Sequence, residues 1–120
     1  MKPTIVICDD DQAILEMLEM VLDDGTKNII LVSNSTDIFN VLAYSRPCAV
    51  LLDLWMPILS GDQILKKLRA TKEYAQLPII VISASREGES VAREAGATAF
   101  LAKPFDISQL CETVEAYITS

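Results

Sequence analysis

Three consecutive carboxylates, Asp9, Asp10 and Asp11, stand in the stretch CDDDQ of residues 8–12, which follows directly on the apolar run IVI of residues 5–7. Such neighbours stand roughly 5 to 7 Å apart, and at an effective dielectric of about 20 each pair repels by on the order of 2 to 3 kcal/mol. Two arrangements offset that cost. The stretch can be a solvated turn, with Asp11 capping the following helix and its neighbours favoured by the positive helix N-terminus. Alternatively, the acids are kept together to hold a hard divalent cation such as Mg²⁺, which takes oxygen ligands. Further along, a separate acid, Asp53, closes the apolar run AVLLD; a hydroxyl, Ser83, closes IIVIS; and an ammonium, Lys103, follows TAFLA and precedes Pro104. Each alone has an ordinary role as a loop cap, a partner for a strand-end amide or a surface lysine. Together they fit phosphoryl transfer onto a carboxylate. Asp53 is then the nucleophile, and Asp10, helped by Asp9, holds Mg²⁺. Ser83 donates a hydrogen bond to one phosphate oxygen and Lys103 places a point charge on another. Acids that share a cation tolerate one another, and Asp11 stays a helix cap.

These residues meet only if the segments carrying them lie side by side. Apolar runs of strand length occur at 4–8, 29–33, 49–53, 79–83 and 98–102. Most are continuous rather than alternating, as strands covered on both faces require. Between them lie helical stripes: Ile14, Leu15, Leu18, Val21 and Leu22; Ile38, Val41 and Leu42; Ile64, Leu65 and Leu68; a weaker pair, Val91 and Ala95; and Ile107, Leu110, Cys111, Val114 and Ile118. Each reads as the face that packs on a sheet. Five βα units in strict alternation predict an α/β, flavodoxin-like (βα)5 doubly wound sandwich. Its five-stranded parallel sheet has right-handed crossovers and the order 2-1-3-4-5. One domain is expected over residues 1–120. Ligands of such sheets bind beyond the carboxyl ends of the strands, at the switch point between strands 1 and 3. The acids, the hydroxyl and the lysine all fall at that edge.

Composition excludes several classes. A net charge of -7 provides no basic stripe for a phosphate backbone, so no nucleic acid partner is expected. Residues 1–7, MKPTIVI, form neither a signal peptide nor a membrane span, which predicts a cytoplasmic protein with no membrane partner. Cys8, Cys48 and Cys111 are odd in number and lack CxxC spacing, so they read as reduced, buried small hydrophobes rather than as a disulfide framework or zinc site. There is no histidine, which removes Ser-His-Asp chemistry, imidazole bases and any phosphohistidine on this chain. A phosphoryl group must arrive on another molecule.

At these residues the chain closely resembles the receiver domain of two-component response regulators, the CheY-like family. The resemblance rests on DD at 9 and 10, on DLWMPILSG at 53–61 with its D-x-x-M-P-x-x-x-G spacing, on SA at 83 and 84, and on FLAKPF at 100–105. In that order the motifs run from the first strand to the last helix. The resemblance implies that Asp53 is the phosphoacceptor and that Asp9 and Asp10 form the acid pocket, with Asp53 and the main-chain carbonyl of Trp55 as further ligands to Mg²⁺. It implies Ser83 as the switch hydroxyl, Lys103 as the site lysine, Phe100 as a rotating aromatic, and a cis bond before Pro104. The implied phosphodonor is a sensor histidine kinase or a histidine phosphotransfer protein, and a downstream protein would dock on the face from the fourth to the fifth helix. Such a chain catalyses its own phosphorylation and slow autodephosphorylation without being a conventional enzyme.

Departures from the family pattern carry their own expectations. Ser83 stands where Thr is commoner; it keeps the hydroxyl and drops a methyl that restricts its rotamer. The stretch from Ser83 to Gly96 is shorter than in the family, so the fourth helix is expected to be trimmed or partly frayed. Trp55 is bulky and Ser85 small at the two positions flanking the phosphate, and Trp55 is expected to screen the attacking water and lengthen the life of the aspartyl phosphate. The chain reads either as a stand-alone receiver or as a receiver from a longer protein. Rival readings fit less well. A flavodoxin needs a phosphate loop whose amides face an anion, and DDDQ would repel it. A phosphatase of the haloacid dehalogenase class needs an acid two residues after its nucleophile, where Trp55 stands. A phosphorylation-independent adaptor of the same fold remains the alternative; such proteins usually lose an acid or the lysine, and this chain keeps both.

Overall fold

Five strands form one parallel sheet: β1 (Thr4–Cys8), β2 (Asn28–Val32), β3 (Ala49–Asp53), β4 (Ile79–Ser83) and β5 (Ala99–Ala102). They lie in the order β2-β1-β3-β4-β5, in a computed structural model that describes residues 2–118. The helices are α1 (Gln12–Leu22), α2 (Ile38–Ser45), α3 (Gly61–Arg69), α4 (Glu87–Ala95) and α5 (Ile107–Ile118). This is the expected flavodoxin-like topology. β3 and β4 are buried along their whole length, which is why their sequences, AVLLD and IIVIS, do not alternate.

Alternate residues of each strand feed two separate cores. On one face Ile5, Ile7, Leu51, Ile80 and Ile82 pack with Leu15, Leu18 and Leu22 of α1 and with Leu110 and Val114 of α5. On the other, Val6, Cys8, Val50, Leu52 and Val81 meet Ile38 and Leu42 of α2, Ile64, Leu65 and Leu68 of α3, and Ala92 and Ala95 of α4. Leu51, Leu52 and Leu54, around Asp53, are fully buried. At roughly 1.5 to 3 kcal/mol each, those three alone outweigh one repelling carboxylate pair, so apolar burial can hold the acids together.

Several details differ from the sequence expectation. β2 begins one residue earlier than expected, and β5 begins at Ala99, one residue later; Thr98, just before it, accepts on Oγ1 from Ile79 N–H at 3.0 Å and from Arg69 Nη2 at 3.0 Å. Two short 3-10 helices, Ser35–Asp37 and Lys72–Tyr74, precede α2 and β4. α4, expected to be trimmed or partly frayed, is a nine-residue helix that ends without fraying on Gly96, whose φ of 104° places it in the left-handed region. Its buried residues are Gly88, Ala92 and Ala95, so small side chains face the sheet and Val91 packs only at the margin. Ile107, assigned to the core-facing stripe of α5, is 56% exposed. Cys8 is buried, but Cys48 and Cys111 are only partly so; all three are free.

Two cations reinforce the edges farthest from the acids. Lys27, just before β2, is almost fully buried and pairs with Asp24 at 3.0 Å and with Glu115 of α5 at 2.7 Å. Arg69, at the end of α3, donates from Nη1 to the carbonyls of Tyr74 and Leu77, at 2.9 and 2.8 Å, and from Nε to that of Gly96 at 2.8 Å. Among the described residues no helix is long and apolar enough to cross a membrane.

Candidate functional site

The carboxyl ends of β1 and β3 are neighbours in the sheet, so the acids that follow them are held together by strand pairing. Asp9 leaves β1 with its N–H bonded to Val32 O at 3.1 Å, and Asp53 is the last residue of β3. Both are buried, whereas Asp10 is exposed. One carboxylate oxygen from each of Asp9, Asp10 and Asp53 lies within 4.8 Å of the others. Lys103 enters from the end of β5. Its backbone N–H donates to Ser83 O at 2.8 Å, and its Nζ donates to Asp9 Oδ2 and to Asp53 Oδ1, at 3.2 Å each. The peptide bond to Pro104 is cis. Asp11 stands apart as the N-cap of α1, accepting from the N–H groups of Ala13 and Ile14 at 2.9 and 3.3 Å.

One ammonium, paired with Asp9 and Asp53, thus faces a cluster of three carboxylates, and the balance is negative. Burial, reinforced by Asp9 and only partly countered by Lys103, pushes the Asp53 carboxyl up to about 6. Asp9 is raised too, chiefly by burial, against the Asp11 N–H bond and Lys103 that favour its ionised form. Burial alone would lower Lys103, but Asp53 and Asp9 outweigh it and hold the ammonium above its ordinary value. The same field reaches Cys8, whose thiol is pushed up to about 12 by burial and then by Asp9 and Asp53. It stays a protonated donor, 3.8 Å from Met56 Sδ. An all-oxygen cluster with unneutralised charge suits a small hard cation.

The loop after β3 is closed by close approach. Gly61 N–H donates to Leu54 O at 2.8 Å. A Cβ at Gly61 would run into the carbonyl oxygen of Asp53 and stand 2.8 Å from Leu54 Cα, so only glycine fits there. Between these anchors, Leu59 N–H bonds to Pro57 O at 2.7 Å around Ile58, whose φ is 69°. This is the γ-turn of the strained hand, built on a β-branched residue that is 86% exposed. Trp55 is half exposed in the same loop.

Ser83 and Phe100 are brought near one another but not into the acid cluster. Ser83 is buried at the end of β4, and its Oγ accepts from Ser85 N–H at 3.1 Å; among the described residues no hydrogen bond joins it to the three acids. Phe100 pairs in register with Val81, two residues before Ser83. It packs, half-buried, against the core on the α4 side. Two residues that shape the site were given no role by the sequence: Met56, present only as part of the loop motif, whose Sδ accepts from Cys8 Sγ, and Gly88, which lies against Ser83. The glycine spacing in DLWMPILSG was the available signal for the close approach at Gly61; nothing in the sequence marked Gly88.

Comparison with known proteins gives a consistent answer. A family model described as the response regulator receiver domain matches residues 5–115. Response regulator MprA of Mycobacterium sp. (strain KMS) is 34% identical over 120 residues, covering 98% of this chain and 51% of that protein. Response regulator Rre1 of Synechocystis sp. is 31% identical over 110 residues, covering 89% of this chain and 48% of its own. The chain therefore spans about half the length of these curated relatives. Among solved structures, the receiver domain of a sensor histidine kinase from Pseudomonas aeruginosa PAO1, with a magnesium ion coordinated in its active site cleft, superposes with a TM-score of 0.90 at 24% identity over 100% of both chains. The chemotaxis protein CheY4 of Vibrio cholerae gives 0.88 at 23% identity over 98% of this chain and 99% of that one.

Proposed function

The chain belongs to the response regulator receiver domain family, and we propose that it accepts a phosphoryl group on Asp53 from a phosphohistidine of a sensor histidine kinase or a histidine phosphotransfer protein. The observation that carries this reading is the position of Lys103 Nζ, 3.2 Å from both Asp53 and Asp9, in a cluster that Asp10 completes. In the transfer, an oxygen of Asp53 forms the new O–P bond as the N–P bond breaks, and the imidazole leaves with the electron pair. The attacking carboxyl must be ionised. A midpoint of about 6 leaves it mostly so at neutral pH while keeping its basicity above that of an ordinary aspartate. Lys103, held in its charged form, balances charge gathering on the phosphoryl oxygens.

Asp9, Asp10, Asp53 and the main-chain carbonyl of Trp55 would hold Mg²⁺, which when bound supplies further positive charge to the transferred group. The all-oxygen donor set supports this assignment, as does the magnesium in the Pseudomonas relative. After transfer, Ser83 Oγ would turn from Ser85 N–H to a phosphate oxygen, and Phe100 would rotate inward on the same face. The face from α4 to α5 would then change its affinity for a downstream protein. Such a switch requires only a few kcal/mol of differential contact. Trp55 and Ile58, exposed at the rim of the site, would be covered by the incoming phosphodonor.

Intact-mass measurement after incubation with Mg²⁺ and acetyl phosphate tests the assignment. One phosphoryl adduct, labile to alkali, is expected on the wild type and none on Asp53→Asn. Equal labelling of both proteins would remove Asp53 from its role. No labelling of either, by acetyl phosphate or by a phosphohistidine donor, would favour a phosphorylation-independent adaptor.

A further inference from the structure

The first turn of α4 lies directly on the Ser83 hydroxyl, so that any side chain at Gly88 would have to displace the Ser83 and Leu54 side chains. Gly88 is buried. A Cβ there would stand 2.8 Å from Ser83 Oγ, 2.9 Å from Leu54 Cδ2 and 3.0 Å from Ser83 Cβ, well inside the separation at which such atoms attract. Its φ is not positive, so the backbone does not require glycine; a side chain there would instead crowd Ser83 and Leu54. Glycine inside a helix is otherwise destabilising relative to alanine.

The two ends of α4 are held very differently. At the N-terminal end Arg86 occupies the cap position without a side-chain hydrogen bond. The turn is strung to the switch residue through two bonds: Gly88 N–H to Ser85 O at 3.1 Å, and Ser85 N–H to Ser83 Oγ at 3.1 Å. At the C-terminal end Gly96 N–H bonds back to Ala92 O and Arg93 O. Arg69 fixes the Gly96 carbonyl at 2.8 Å while also holding Thr98 Oγ1 and the carbonyls of Tyr74 and Leu77.

We propose that Gly88 is the contact through which the position of Ser83 is passed to α4. In the resting arrangement the hydroxyl and the first turn share one closely fitted volume. When Ser83 Oγ leaves for a phosphoryl group on Asp53, the Ser85 N–H loses its acceptor and the turn closes on the vacated space, with the helix pivoting on its Arg69-held end. Gly88 is thus a positioning residue, and its role rests on the phosphoacceptor reading above. Coupling of this kind is reciprocal: whatever crowds the resting hydroxyl favours the phosphorylated arrangement.

The test is the binding of beryllofluoride, a phosphoryl mimic, in the presence of Mg²⁺, followed by calorimetry. Gly88→Ala should bind it more tightly than the wild type, by about fivefold or more, the low end of ordinary coupling between sites. A lesion that merely loosened the fold would weaken binding. In a Ser83→Ala background, where the crowded oxygen is gone, Gly88→Ala should confer no gain. In the wild type, beryllofluoride should change the hydrogen-exchange rate of amides in the first turn of α4 while leaving those next to Gly96 unaltered. Unchanged or weaker binding by Gly88→Ala, or a gain that survives in Ser83→Ala, would overturn the proposal. If Gly88→Ala does not fold, an unaltered first turn in the wild-type exchange experiment does the same. A wild type that binds no beryllofluoride at all would bring down the phosphoacceptor reading and this inference with it, whereas binding without these effects removes the inference alone.

Discussion

Removing the charge of Asp53 should stabilise the metal-free protein, by an amount that depends on pH in a defined direction. The Asp53 carboxyl titrates at about 6 in the folded state, against 3.8 for an ordinary aspartate. At 1.36 kcal/mol per pH unit this difference is worth about 3 kcal/mol. The sign follows from proton uptake. Well below pH 3.8 the carboxyl is protonated in both states and contributes nothing. Between pH 4 and 6 the unfolded chain releases the proton while the folded protein retains it, so stability falls as pH rises. Above 6 the full cost is present. Asp53 is 6% exposed, so solvent screens little of it. Asp53→Asn removes the charge while keeping an oxygen that can accept from Lys103 Nζ. Urea unfolding of both proteins in chelator-containing buffer, from pH 4 to 7.5, isolates this group, because every other titrating residue is common to the pair. The variant should be more stable by about 2 to 3 kcal/mol above pH 6.5, and the gap should narrow to under about 1 kcal/mol at pH 4. A destabilised variant, or a gap independent of pH, would show that Lys103 already neutralises the cluster and would remove the electrostatic case for a bound cation.

Trp55→Asn should speed loss of the aspartyl phosphate several-fold, followed by intact mass after the donor is removed, with Mg²⁺ affinity little changed because the ligand assigned there is main-chain; an equal or slower decay would mean that the ring does not screen the attacking water. The fluorescence of Trp55, the only tryptophan in the chain, should respond to Mg²⁺ and again to beryllofluoride. Ile58→Gly should raise stability in thermal or urea unfolding by about 0.5 to 1 kcal/mol, since relieving a left-handed β-branched residue gains about 1 to 2 and the freer unfolded glycine returns about 0.5 to 1; lower stability would refute the reading of the turn as strained. Asp11→Ala should cost about 1 kcal/mol as a lost helix cap and leave Mg²⁺ binding, measured by calorimetry, nearly intact.

The strands were legible because β1, β3 and β4 are covered on both faces, so each reads as an unbroken apolar run at full strength. α4 was faint for the opposite reason. The residues it presents to the sheet are Gly88, Ala92 and Ala95, and close packing of small side chains leaves almost no hydropathy signal. The convergence of Asp9, Asp10, Asp53 and Lys103 could be read because all four lie at strand ends on one edge, where topology alone brings them together. Arg69 could not. As a cation in the last turn of α3 it matches a charge on a solvated face, and although Tyr74 and Leu77 follow it closely, its bonds to Gly96 and Thr98 reach a segment that the sequence does not mark as a neighbour. Ile107 misled for a related reason, since its spacing matches the stripe of α5 although the helix begins before the sheet can cover it.

The burial of Lys27 has a consequence for ionic strength. Its attractions to Asp24 and Glu115 are shielded on the lysine side, with only 3% of that side chain exposed, and counterions screen such partly buried pairs weakly. The net charge of -7, by contrast, is spread over a surface where ions reach freely, and at physiological salt repulsion beyond about 8 Å is largely screened. Dissolved salt therefore weakens what pushes the molecule apart more than it weakens the tie between β2 and α5, and the fold should become firmer, not looser, as the medium becomes more saline.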